Sequence, residues 1–245
     1  MVQQLLLRDQ FEAVLQNYRA NQEAIDILIK TPLVLMAGLT GSGRNTIIGK
    51  LVETGRYVFV KSDTTRAPRV EHGVKEKDGG PYWFKTEQEV LDGLEQGRYF
   101  EAAIIHNQQV SALSVSEIEK VNANHQIAVT EVTPEGIKTY SALKPDVRCI
   151  FMLPPSFEVW LERLKKRSEM PQEELTRRQR SALKEVNDLL GNGIYRAVVN
   201  DDLAHATSQV IGIVEQAAYS DAEHSRGLRV AEQIKKAIEQ ELVNQ

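Results

Sequence analysis

The chain has 245 residues, 42% of them hydrophobic and 26% charged, with a formal net charge of −4. That is enough for a packed α/β domain or two small ones, and it argues against a duplex DNA or RNA partner, which calls for a concentrated basic face. The lone Cys149 allows no intrachain disulfide, no Cys/His cluster has zinc-ligand spacing, and the apolar runs are far too short to cross a bilayer. Leu5-Leu6-Leu7 runs at once into Arg8 and Asp9, unlike a signal-peptide core, so a cytoplasmic protein without a membrane partner is expected.

In chain order, residues 4–29 read as a helix, because Phe11, Val14, Leu15 and Tyr18 recur at i, i+3, i+4 and i+7. Pro32 breaks the chain before the apolar run Leu33-Val34-Leu35-Met36-Ala37, expected as a buried parallel strand. A glycine loop follows, then a helix over 46–54 stopped by Gly55, and a strand over 57–60. Residues 61–81, dense in Thr, Arg, Pro, Lys and Gly, read as a loop. Strands are expected over 126–132 and 147–153, helices over 156–167 and 173–190, a short strand at 197–200, and helices to about 219 and over 226–243. Strands alternating with helices imply an α/β fold with a mainly parallel sheet and helices on both faces.

The stretch GLTGSGRNT, residues 38–46, is almost a phosphate-binding loop. The pattern G-x-x-x-x-G-K-[ST] is met at Gly38 and Gly43, but Arg44 and Asn45 stand where Lys and Ser or Thr belong. Backbone N–H groups of Gly41, Ser42 and Gly43 would converge on phosphate oxygens, helped by the dipole of the helix that follows. Neither depends on side chains. Arg44 keeps a positive charge as a bulkier planar fork, and Asn45 offers a neutral carbonyl oxygen where a hydroxyl normally meets Mg²⁺. The same residues could equally form a ligand-free strand-to-helix turn.

A second anion site is suggested by SDTTRAPR, residues 62–69. Arg66 and Arg69, three residues apart in a hydroxyl-rich loop, could grip one phosphate with bidentate hydrogen bonds, and Tyr82 could add a phenolic donor. The plain alternative is a solvated basic loop. Arg163, Arg167, Arg177 and Arg178 form a further basic set; Arg163 and Arg167, at i and i+4, share a helix face, as surface arginines on a helix commonly do.

Together these pieces resemble the guanylate kinase family, whose members move phosphate from ATP to GMP, over residues 32 to about 219. The resemblance implies a P-loop kinase domain over 32–219, with an acceptor-binding subdomain at about 62–125 and a lid at about 165–178. Helical extensions would lie at 1–31 and 220–245. ATP would be bound by Gly38, Thr40, Gly41, Ser42, Gly43, Arg44, Asn45 and Thr46, and Asn200, in VVNDDL, would lie beside the adenine. Mg²⁺ would come with the donor phosphates, with Asn45 a weak ligand. Arg66, Arg69 and Tyr82 would hold the acceptor phosphate, with Ser62 and Asp63 in the same motif; Glu101, in YFEAA, would read the guanine edge. Arg163 and Arg167, in PPSFEVWLERLKKR, would close over the transferring group together with Arg44 and Arg178, and Glu131 would fall at a family aspartate and could orient the metal's water shell.

The departures from the family pattern are also informative. Val110-Ser111-Ala112 stands where the family has Tyr-Gly-Ser, and Thr133 at a second family aspartate. The loop from Arg69 to Tyr82 is long and contains KEKDGG. Asp63 stands where a hydroxyl-bearing base reader is expected. A carboxylate only accepts hydrogen bonds, so Asp63 would face guanine O6 unfavourably, and Ala112 removes the other donor; GMP is expected not to be the preferred acceptor, or to be a poor one. The function expected is ATP-dependent phosphoryl transfer to a nucleoside monophosphate, by a monomer or homodimer. The alternative is a catalytically silent guanylate-kinase-like module that binds a nucleotide or a protein segment.

Overall fold

The computed structural model describes residues 4–71, 74–80, 82–105, 108–167, 170–216 and 220–243. The chain forms two compact units, Met1–Pro32 with Val58–Ala128 and Leu33–Tyr57 with Val129–Gln245.

The first expected helix is two, α1 (Arg8–Asn17) and α2 (Gln22–Lys30). The chain turns extended at Tyr18, whose hydroxyl donates to the Tyr99 carbonyl, and Asn21 opens α2 by accepting from the Ala24 N–H. A cap that satisfies an otherwise orphaned N–H stabilises a helix start by about 1 kcal/mol, and here it outweighs the continuous apolar periodicity. Next come β1 (Leu33–Gly38), α3 (Arg44–Glu53) and β2 (Tyr57–Phe59). The expected loop 61–81 contains β3 (Asp63–Thr64), β4 (Val70–Glu71) and β5 (Val74–Lys75). Two-residue strands leave no alternation to read in a sequence.

The chain continues through β6 (Trp83–Phe84), α4 (Glu87–Glu95), β7 (Tyr99–Ile105), β8 (Gln109–Ser114), α5 (Val115–Ala123), β9 (Ile127–Glu131) and α6 (Pro134–Leu143). Thr86 and Glu89 start α4 with a reciprocal capping box. Then follow β10 (Arg148–Leu153), α7 (Phe157–Arg167), α8 (Gln172–Gly191), β11 (Tyr195–Val199), α9 (Leu203–Ile211) with a π-helical turn, and α10 (Asp221–Val243).

A five-stranded sheet runs in the order β11-β10-β1-β9-β2. β10 pairs in parallel with β1 and β11, and every residue of β1 is buried, as a strand covered on both faces requires. Helix α10 packs on β11 and α8, and α3 on α9.

The other unit carries a four-stranded sheet, β6-β3-β8-β7, in which β8 is antiparallel to β3 and β7. One face of it, with Tyr99, Val110 and Ala112, is buried against Leu5 and Phe11 of the N-terminal segment and Val90, Leu91 and Leu94 of α4. Phe11 is fully buried, and side chains of that kind stabilise by roughly 2 kcal/mol each.

Candidate active site

The glycine loop leaves β1 at Gly38, where φ is 138° and a Cβ would lie 2.3 Å from the Met152 carbonyl oxygen. Gly43, at φ 91°, would place a Cβ 2.1 Å from Asn200 Nδ2. Both positions therefore demand glycine on conformational and steric grounds. Side chains from outside the loop brace it: Asn200 Nδ2 donates to the Ser42 carbonyl at 2.8 Å and Trp160 Nε1 to the Thr40 carbonyl at 2.8 Å. Helix α3 starts at Arg44 with no acidic residue in its first turn, which leaves its positive end uncompensated. The Ser42 hydroxyl is buried with no hydrogen-bond partner among the described residues. Thr40, Gly41, Gly43, Arg44, Asn45 and Thr46 line a cavity of about 380 Å³ with Glu131, Arg163 and Lys166.

Three residues expected to meet ATP are engaged in holding this loop. Asn200 is buried and serves as the brace just described. Arg163 Nη2 donates to the Asn200 carbonyl at 3.0 Å. Arg44 turns back along the strand end: Nε donates to Glu131 Oε1 at 2.8 Å and Nη1 to the Gly38 carbonyl at 2.9 Å. Glu185 of α8, which the sequence did not single out, also feels the Arg44 charge; burial pushes its carboxyl up and Arg44 opposes the shift. Arg178 Nε donates to Glu174 Oε1 at 2.7 Å, and Arg177 binds the same carboxylate. The Arg167 side chain, and residues 168–169 of the expected lid, lie outside the described residues.

In the other unit, Arg66 is 7% exposed and grips Glu76 with both terminal nitrogens, at 2.5 and 2.8 Å. Its guanidinium carbon lies 5.0 Å from the Tyr82 ring centroid and 5.3 Å from that of Phe84, close enough to both rings for cation–π contact. The Arg69 backbone N–H also donates to Glu76, at 2.7 Å, while Arg69 itself is exposed. The Arg66 hydrogen bonds, foremost, hold the Glu76 carboxyl down at about 2. In the sequence Glu76 stands out only as part of the long loop containing KEKDGG. Its one signal is an acid flanked by lysines in a basic loop.

Asp63 and Glu101 stand on opposite faces of the four-stranded sheet. Asp63 is opposite Ala112, and Ala112 opposite Ala102, whereas Glu101 is opposite Leu113; facing partners share a side and neighbours alternate. Thr64 pairs with Ser111 on the Glu101 side, and alternation puts Ser62 there too. Asp63 is buried and its Oδ2 accepts from the Tyr99 hydroxyl at 2.8 Å. The expectation that Asp63 faces the base beside Glu101 is thereby corrected. The parity of a two-residue strand comes from its pairing, which the sequence does not show.

A parallel sheet with a braced glycine loop after its central strand, joined in one chain to a separate arginine set, defines the class of P-loop kinases. The chain matches the guanylate kinase family across residues 29–217. It is 33% identical to a guanylate kinase of Corynebacterium diphtheriae over 73% of this chain and 91% of that protein. It is 31% identical to guanylate kinase 1 of Oryza sativa over 69% of this chain and 44% of that one. A crystal structure of guanylate kinase from Anaplasma phagocytophilum shares the fold, with a TM-score of 0.56 and 21% identity over 80% of this chain and 92% of that one. This chain belongs to the guanylate kinase family, ATP-dependent nucleoside monophosphate kinases. No helix among the described residues is long and apolar enough to cross a membrane.

Proposed function

We propose that the protein transfers the terminal phosphoryl group of ATP to the phosphate of GMP or a closely related nucleoside monophosphate. The observation that carries this reading is the glycine loop: two left-handed glycines at the head of α3, a buried hydroxyl without a partner among the described residues, and a cavity of about 380 Å³ in front of them. A loop held open by Asn200 and Trp160 needs no reorganisation to receive phosphates, and phosphoryl transfer is catalysed mainly by such positioning and charge compensation.

In this reading Gly41, Ser42 and Gly43 receive the donor phosphates through backbone N–H groups. Arg44, whose plane is fixed by Glu131 and Gly38, presents the Nη2 edge that makes neither of those bonds. Arg66 and Arg69 hold the acceptor phosphate, with Glu76 and Tyr82 fixing the Arg66 fork. The acceptor's own phosphate oxygen is the nucleophile, so no protein base is required. The base is read on the Glu101 face, by Glu101 with Ser62 or Thr64. With Asp63 and its partner Ala112 both on the other face, the objection to GMP loses its footing.

Among the described residues no group of three or more His, Cys, Asp and Glu could hold a metal ion. The donor cavity offers the Asn45 amide oxygen, the Thr46 hydroxyl and Glu131 Oε2, a set that suits Mg²⁺ carried in on phosphates with most of its water retained. When bound, Mg²⁺ neutralises charge on the donor phosphates. The test is ADP release from MgATP with GMP, AMP, CMP and UMP in turn. Release with GMP is expected, and failure with all four would overturn the proposal.

A further inference from the structure

A cavity of about 590 Å³ lies wholly within the unit that carries Arg66, between α2, the start of α5 and the Asp63 side of the four-stranded sheet. Neither Glu101 nor the arginines of the acceptor set line it. One wall is Ala24 and Ile27 of α2, a helix that almost entirely precedes the matched family span 29–217. Another is Trp83, which faces Asp63 across the sheet. Asp63 and Tyr99 also line it.

The charge of this cavity is unbalanced. Its carboxylates are Asp63, Glu23, Glu89, Glu117 and Glu119, against the cations Lys85, Arg98 and Lys120. Lys120 is paired with Glu117 at 2.9 Å. Asp63 is 6% exposed, and the Tyr99 phenol is its hydrogen-bond donor; no described residue forms a salt bridge with it. A covered carboxylate without a cation is costly, because burial removes water and returns no opposite charge. Burial correspondingly pushes the Asp63 carboxyl up, with the Tyr99 bond and the Lys85 charge opposing. A cation brought in by a ligand would resolve the imbalance, and an indole wall adds cation–π attraction. The volume is far larger than one ammonium group and falls in the range of small-molecule sites, so the cation must carry a carbon body.

We propose that this cavity binds a small organic cation, whose primary ammonium or guanidinium head pairs with Asp63 and whose carbon body lies against Ala24, Ile27 and Trp83. The site is separate from the nucleotide sites and does not depend on the kinase reading. The experiment is calorimetric titration of the full chain with ethanolamine, putrescine and agmatine, with glutarate as an anionic control, and the Tm followed in parallel. Saturable binding of at least one amine, with a raised Tm, is expected. Asp63→Asn keeps an acceptor for Tyr99 and should weaken that binding at least tenfold; Ile27→Trp fills the wall and should abolish it while ADP release from MgATP and GMP persists. No saturable binding by any of the three amines, equal binding by Asp63→Asn, or binding of glutarate in their place would each overturn the proposal.

Discussion

The two arginine sets solve one problem in different ways. On the proposed function each unit keeps a guanidinium ready for phosphate, and in each the guanidinium is held by a carboxylate. In the Arg66 set the partner is Glu76, ten residues away, and the pair is 7% and 16% exposed under two aromatic rings. In the glycine-loop set the partner of Arg44 is Glu131, 87 residues away, and the pair is 22% and 27% exposed. The first is a local clamp that fixes a side chain. The second hangs on the strand order of the sheet, and its loop is shaped mainly by backbone and by Asn200. Side-chain changes should therefore hurt more in the Arg66 set, and glycine changes more in the other.

The largest effect is expected from Arg66→Ala. Removing the preorganised charge proposed to meet the acceptor phosphate should lower kcat/KM for the acceptor by about 10³-fold, in steady-state assays with ATP saturating. A loss under tenfold would break the comparison. Gly43→Ala forces a Cβ against Asn200 at a left-handed backbone position, and should weaken ATP binding by about 100-fold, as read by titration with a slowly hydrolysed ATP analogue.

Glu76→Gln tests the clamp by pH. The folded carboxyl sits at about 2, below its ordinary 4.5, so its stabilisation is present above pH 4.5 and is lost as pH falls toward 2. The variant should be less stable at pH 7 by roughly 2 kcal/mol, since the negative charge opposite Arg66 is lost and Glu76 is partly solvated. Chemical denaturation at pH 7, 4 and 3 should show the gap closing. The smallest effect belongs to Arg44→Lys with Asn45→Ser, which restores the usual loop tips. Because the backbone does most of the holding, kcat should change by less than about tenfold. A 10³-fold rise would instead mean that the altered tips had crippled the loop.

Legibility in the sequence followed the range of the interactions. The glycine loop could be read because its spacing, the strand before it and the helix after it are contiguous, and Gly38 and Gly43 occupy positions that only glycine tolerates. Arg66 and Arg69 were legible as a pair because three residues separate them. Glu76 was not, since nothing local says which of several acids in an irregular loop will meet which cation. Asp63 was assigned to the wrong face because one step of register inverts every side chain of a strand. The split between α1 and α2 was hidden because Tyr18 fits the apolar repeat, while its hydroxyl is claimed by Tyr99, 81 residues away.

By itself the sequence determined the strands of the five-stranded sheet, the glycine loop after β1 and the family, because periodicity and short motifs are properties of neighbouring residues. Only the tertiary structure decided that Arg44 belongs to Glu131, that Asn200 and Trp160 hold the loop, and that Asp63 looks into a second cavity. Those facts depend on which strands pair and in what register. Backbone hydrogen bonding and burial fix that pairing across the whole chain, and no short window of residues encodes it.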